Sequence, residues 1–239
     1  MIILGLDTST RAASVALWSD GDLLGELVIN DKRTHSQKLM PMLENLFQLA
    51  NISIDYVDLL AVCIGPGSFT GIRIAMATVK ALGHVRNLPI VGVNSLESLA
   101  YNLSDGKARL VPILDAQGSQ VYSAIYESSG QAPEILRDIR VVDIDNLIEE
   151  VRGLDGKIIL LGEGINKYRD RLKDLGPNIN LASSNTNISR AASVCACASH
   201  KYKKGQDIHT CYDILPMYIR KSQAEVQYEE KQRAMKNDL

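Results

Sequence analysis

Two aspartates stand where the chain can hold a phosphate. Asp7 closes the apolar run 2–6 and is followed by three hydroxyl residues, Thr8, Ser9 and Thr10. A carboxylate at a strand end can bind a phosphate through magnesium, with the hydroxyls and loop N–H groups as anion donors. Asp115 closes a second apolar run, 110–114, and repeats this arrangement. Gly162-Glu163-Gly164 ends a third run, 157–161, where two glycines can let a nucleotide base approach. The plainer alternative is that Asp7 and Ser9 only close a turn by local hydrogen bonds.

A glycine-rich stretch, Gly65-Pro66-Gly67-Ser68-Phe69-Thr70-Gly71, lies between an apolar run at 59–64 and a long apolar helix that begins near Thr70. Its glycines permit positive φ and a close approach to a neighbour. Pro66 fixes one φ and extends Gly65, and Ser68 or Thr70 can cap the first helical turn. Strand, loop and helix N-terminus form either an anion cradle or a tight corner. The spacing matches neither a P-loop nor a dinucleotide fingerprint. Ser68 has no histidine or acid nearby in sequence, so it reads as a cap and not as a nucleophile. His35, His84, His200 and His209 are scattered, with no two at the one-turn spacing of paired metal ligands, which argues against a protein-built metal site.

The elements that must position these residues follow from apolar runs and turn signals. Strands are expected at 2–6, 13–18 and 23–29, the last two joined at Asp20-Gly21, so that three antiparallel strands open the chain. A helix at 35–50, the strand ending at Ile64, the helix 71–85, a strand at 89–93 and a helix at 95–103 complete a first half, 1–104. The second half, 105–220, echoes it: strands at 110–114, 120–126 and 135–142, a helix at 144–151, a strand at 157–161 and a helix at 188–202. Residues 221–239 form a polar, highly charged tail.

The helix 71–85 is apolar nearly all round. Only Arg73, Lys80 and His84 make a narrow polar stripe. Such a helix is either buried in its own core or covered on its outer side by another chain. On the second reading Gly71, Ile72, Arg73, Ala75, Met76, Val79, Lys80 and Gly83 are its contact residues, the small ones allowing close approach.

Composition narrows the classes. With 239 residues and 46% apolar content the chain can build two small lobes or one larger domain. A net charge of -2 supplies no overall field for nucleic acid, so RNA contact needs a local patch or a partner. No apolar stretch is long enough to span a membrane, and no basic residue precedes the short run after Met1, so a cytoplasmic location is the expectation. Cys63, Cys195, Cys197 and Cys211 form no zinc pattern and read as reduced, mostly buried residues.

Taken together, Ile3-Leu4-Gly5-Leu6-Asp7-Thr8-Ser9-Thr10 with Ala13-Ser14-Val15-Ala16, then the 65–73 stretch, resemble the TsaB family. Asp115-Ala116-Gln117 with Val121-Tyr122, and Pro216-Met217-Tyr218-Ile219-Arg220, are weaker matches. The resemblance implies an α/β, two-lobed fold of the actin, heat-shock-chaperone and sugar-kinase type, each lobe a mixed sheet with helices. It implies a non-catalytic dimerisation subunit of the machinery that places a threonylcarbamoyl group on the tRNA adenosine beside the anticodon. The implied partners are a TsaD-like paralogue, a TsaE-like ATPase and a second copy through the helix 71–85, with tRNA reached through the complex. TsaD-like chains carry paired metal-binding histidines and a fuller glycine-rich nucleotide motif, and this chain has neither. No cofactor is therefore expected to be required, with weak ATP or ADP and magnesium at a partner interface as the remaining expectation. The competing reading is a degenerate kinase-like or ATPase lobe pair that uses Asp7 and Asp115. A peptidase reading lacks both a metal pair and a nucleophile–base pairing.

Overall fold

A computed structural model describes residues 1–31 and 34–220, so the expected tail at 221–239 lies outside the described residues. The first half runs β1 (Ile2–Asp7), β2 (Ala13–Ser19), β3 (Asp22–Ile29), α1 (His35–Ala50), β4 (Val57–Gly65), α2 (Phe69–Arg86), β5 (Ile90–Asn94) and α3 (Ser95–Tyr101). The second runs β6 (Lys107–Asp115), β7 (Gln120–Ser129), β8 (Glu134–Asp143), α4 (Ile144–Arg152), β9 (Ile158–Leu161), α5 (Gly164–Tyr168) and β10 (Ile179–Leu181). The chain then closes with α6 (Ala191–Lys203) and β11 (Ile208–His209).

Two sheets result, ordered β11-β5-β4-β1-β2-β3 and β10-β9-β6-β7-β8. Apart from the added β11 the two orders are identical. An antiparallel β1–β2–β3 meander is extended by parallel β4 and β5, and β6–β7–β8 is extended in the same way by β9 and β10. The echo between halves is thus a repeated topology. The turn between β2 and β3 places both Asp20 and Gly21 at positive φ, as a tight Asp-Gly hairpin requires.

The chain order of the lobes needs a correction. The second lobe does not run to residue 220, because α6 returns to the first sheet. Ala191, Val194, Cys195 and Ala198 pack on Ile3, Ala16, Leu59 and Ala61. This approach is close enough that a Cβ on Gly5 would lie 2.4 Å from Cys195 Sγ. The helix starts at Ala191, not at Ile188, because its first amides are capped from β2 and β3. Ser14 Oγ accepts from Ala191 N at 2.9 Å, and Glu26 accepts from Ala192 N at 3.0 Å and from Arg190 Nε at 2.9 Å. In turn α3 packs on the second sheet, with Leu96 and Leu99 against Leu110, Leu114 and Ala124. The helices α3 and α6 therefore form the layer between the sheets.

Candidate functional site

The two acidic corners face the cleft between the lobes, and the structure treats them differently. Asp7 is fully buried. Its Oδ1 accepts from Ser9 N at 2.8 Å and from Ser9 Oγ at 2.7 Å. Its Oδ2 is buried without a hydrogen-bond partner. Burial pushes the Asp7 carboxyl above its ordinary range, an effect its bonds to Ser9 partly offset. Burial, together with the adjacent Asp7 charge, likewise raises the Cys63 thiol.

What covers this corner is the glycine-rich loop. Ser68 N donates to Ser9 O at 2.6 Å, and Thr8 Oγ1 donates to Gly71 O at 2.6 Å. A Cβ on Gly67 would lie 2.2 Å from Ser9 O, and one on Gly71 would lie 1.9 Å from Thr8 O. The loop glycines are required by this contact between backbones. Ser68 accepts from Gly71 N as the N-cap of α2. Thr8, Ser9 and Thr10, expected with Asp7 as a phosphate corner, are buried with it, and of the four Thr10 lines the cleft.

Asp115 is exposed, but Lys167 Nζ holds its Oδ1 at 2.7 Å and Gln117 N donates to the same oxygen at 3.0 Å. The Asp115 carboxylate in turn raises the Lys167 ammonium. A Cβ at Gly162 or Gly164 would meet Ile113 at 2.5 and 2.8 Å respectively, so their lack of a side chain serves packing against β6. Glu163, between them, points to the cleft and accepts from Arg11 N at 3.2 Å. Its carboxyl is raised mainly by burial, with the charges of Asp115 and Asp7 adding to the effect. Of the three carboxylates at the corners, Asp7 is sealed, Asp115 is paired with Lys167, and Glu163 accepts from Arg11 N.

The cleft itself is about 600 Å³. Its mouth is crossed by the segment after β11. Met217 N bonds Ile64 O at 2.8 Å, Tyr218 stacks on Phe69 with centroids 4.5 Å apart, and Arg220 donates to Ala116 O in the second lobe. Arg73 sits 3.8 Å over the Phe69 ring and donates from Nε to Tyr218 Oη at 2.9 Å. Sequence reasoning singled out the stretch 216–220 only as a weak match; nothing local signals that it bridges the lobes.

The helix α2 divides into two faces. Gly71, Ile72, Ala75, Met76, Val79 and Gly83 are buried. They sit on its own sheet, with Leu4, Leu6, Leu60, Val62 and Ile90 in the same core. These six were expected to be contact residues, and the structure places them in the monomer core. The outer side carries Arg73, Ala77, Ala81, His84 and Val85, all exposed, with Val85 at 80%, while Lys80 is half-buried. Beside it, α1 and α2 frame an apolar groove of about 520 Å³ lined by Met40, Pro41, Phe47, Ile52, Ile54 and Leu82. Met40 is 59% exposed. All four cysteines are free thiols. Among the described residues there is no cluster of three or more His, Cys, Asp or Glu side chains that could hold a metal, and no helix is long and apolar enough to cross a membrane.

Comparison with known proteins adds a family profile, a curated relative and three solved structures. The family profile of TsaD, tRNA N6-adenosine threonylcarbamoyltransferase, matches residues 22–228. The tRNA threonylcarbamoyladenosine biosynthesis protein TsaB of Bacillus subtilis is 28% identical, covering 98% of this chain and 100% of that protein. Among solved structures, YeaZ from Pseudomonas aeruginosa superposes with a TM-score of 0.78 at 26% identity, covering 91% of this chain and 99% of that one. A further Pseudomonas aeruginosa structure, TM-score 0.77, 26% identical and covering 92% and 99%, is described as similar to the peptidase YEAZ. The ADPNP-bound activator of 2-hydroxyisocaproyl-CoA dehydratase from Clostridium difficile shares the fold alone, at TM-score 0.55 and 11% identity, over 91% of this chain and 100% of its own.

Proposed function

The chain belongs to the TsaB family, and on that premise we propose that it is a non-catalytic docking subunit in tRNA threonylcarbamoyladenosine biosynthesis. Its partner is a TsaD-family chain, which carries the transferase chemistry, and a second copy competes for the same face. A TsaE-like ATPase joins that assembly, and tRNA is met through the complex.

The observation that carries this reading is the outer side of α2 with the groove beside α1. Ala77, Ala81 and Val85 lie at successive turns and are small or apolar, and Met40, Phe47 and Leu82 continue the surface. A helix whose inner side already fills its own core and whose outer side carries a small, apolar stripe beside Arg73, Lys80 and His84 suits packing against a second helical face. Small residues on that side let the partner backbone come near. A standard interface of roughly 1,600 Å² would extend over both helices.

The kinase-like reading is opposed by the corners. Asp7 is inside, and Asp115 is held by Lys167. A peptidase reading has no pair to work with: Ser68 Oγ accepts from Gly71 N, and His35 Nε2 bonds Thr10 O at 2.8 Å. No resident cofactor is required by this arrangement; a nucleotide at the partner interface would take its ligands from the partner.

Reconstitution of threonylcarbamoyl transfer to tRNA tests the reading. With the TsaD-family partner of the same cell, transfer is expected to fall at least tenfold when this chain is left out. It is expected to persist when Asp115→Ala replaces the wild-type chain. Transfer that is indifferent to the chain, or that is lost with Asp115→Ala while the partner stays bound, would overturn it.

A further inference from the structure

We propose that Asp7 is a positioning residue for the docking helix: through Ser9 it holds the glycine-rich loop, and with it the first turn of α2, at the angle that presents the outer stripe. The inference rests on the docking reading and concerns how this chain builds that face.

The linkage can be followed atom by atom. Asp7 Oδ1 takes both Ser9 N and Ser9 Oγ, at 2.8 and 2.7 Å. That fixes the Ser9 carbonyl, which accepts Ser68 N at 2.6 Å. Ser68 is the N-cap of α2 and accepts Gly71 N at 3.2 Å. A parallel strand of the same linkage runs from Thr8 Oγ1 to Gly71 O at 2.6 Å. The start of the helix is therefore seated on two consecutive residues of the first corner. Arg73 and Ala77, the first members of the outer stripe, follow within two turns.

The other half of the carboxyl argues against a ligand-binding role. An aspartate that holds a metal needs an open, charged oxygen. Here Oδ2 is buried with no partner, beside the Cys63 thiol, which contacts Ser95 Oγ at 3.1 Å. The groups that face Asp7 are Ser9 from its own corner and Cys63 from β4, and the Asp7 charge in turn raises the Glu163 carboxyl of the second lobe. None of these groups is a cation. Both bonds from Ser9 fall on Oδ1, and an amide oxygen can accept the same two bonds. The charge of Asp7 is dispensable for this role, while its shape is not.

Partner titration with the intact chain separates the alternatives. Asp7→Asn is expected to bind the TsaD-family partner within about threefold of wild type. Asp7→Ala is expected to bind at least tenfold more weakly, and Ser9→Ala, which loses the hydroxyl bond and keeps the Ser9 N bond, about fivefold more weakly. Ser9→Ala leaves the acid in place and reads the same link if Asp7→Ala fails to fold. The pH profile gives an independent readout. Since burial raises the folded carboxyl, wild-type stability from this group is full below the ordinary carboxylate value and is lost as pH rises through the folded value. The stability of Asp7→Asn relative to wild type is therefore expected to grow with pH over that window. Asp7→Asn losing the partner as completely as an alanine does would show that the charge is needed, and would overturn the proposal. So would full binding by the alanine variants. A wild-type chain that fails to bind the partner at all would instead remove the docking reading.

Discussion

Gly71→Ala lowers the thermal midpoint of this chain by roughly 6–12 °C and weakens partner binding with it. The added Cβ would lie 1.9 Å from Thr8 O, a backbone atom that cannot swing away. Either α2 lifts off the first corner or β1 shifts, and β1 is central in its sheet. Overpacking of this kind costs about 3 kcal/mol. At a shift of roughly 2–4 °C per kcal/mol for a chain of this size, the quoted range follows. The better helix propensity of alanine returns at most about 1 kcal/mol, which draws the expectation toward the lower end of that range. Gly106→Ala is the control: a Cβ there meets nothing within 4 Å, and the midpoint is expected to stay within about 2 °C. Calorimetric scans of the two variants check the contrast. A Gly71→Ala protein as stable as wild type would mean that the loop is not seated on the corner.

The second large effect is on association alone. Ala77→Glu and Ala81→Glu each place a carboxylate on the exposed side of α2, where folding leaves them in water. Monomer stability is expected to change by no more than about 0.5 kcal/mol. Binding to the TsaD-family partner is expected to weaken at least 100-fold, about 2.7 kcal/mol, because the charge loses its water under a helix-to-helix contact. Ala75→Glu shows the opposite pattern. Ala75 is fully buried against the first sheet, so a charge there unfolds the monomer by several kcal/mol. Denaturant titration and partner binding, measured on the same three variants, separate the inner and outer sides of one helix.

That separation was only faintly legible from periodicity. The 71–85 segment is apolar nearly all round, and its one phase signal, the narrow stripe of Arg73, Lys80 and His84, marks the side that the structure leaves outward. Gly71 and Gly83 looked like places for a partner to come near, and what comes near is the chain's own β1 corner and β5. The outer members, Ala77 and Ala81, are equally small and carry no distinguishing chemistry. By contrast, the Asp20-Gly21 hairpin and the echo of the first half's elements in the second were legible. Turn residues and short apolar runs are local signals, and both are met by the observed sheets.

The corners show the same limit in a different form. Asp7 and Asp115 each end a strand and look alike in sequence. Their fates depend on residues far away: the loop at 65–71 seals one, and Lys167 pairs with the other. Gly162 and Gly164 serve a contact with Ile113 that no local reading can see. The return of α6 to the first sheet has only faint traces, a run of small residues and the bare Gly5 beneath Cys195.

Backbone hydrogen exchange of the chain, alone and saturated with a TsaD-family chain, addresses the proposed docking face most directly. Slowed exchange is expected in peptides covering 73–86 of α2 and 40–54 beside it, with little change at Asp115, Gln117 and Glu163 in the cleft. Protection confined to the cleft, with α2 and α1 exchanging as in the free chain, would contradict the account.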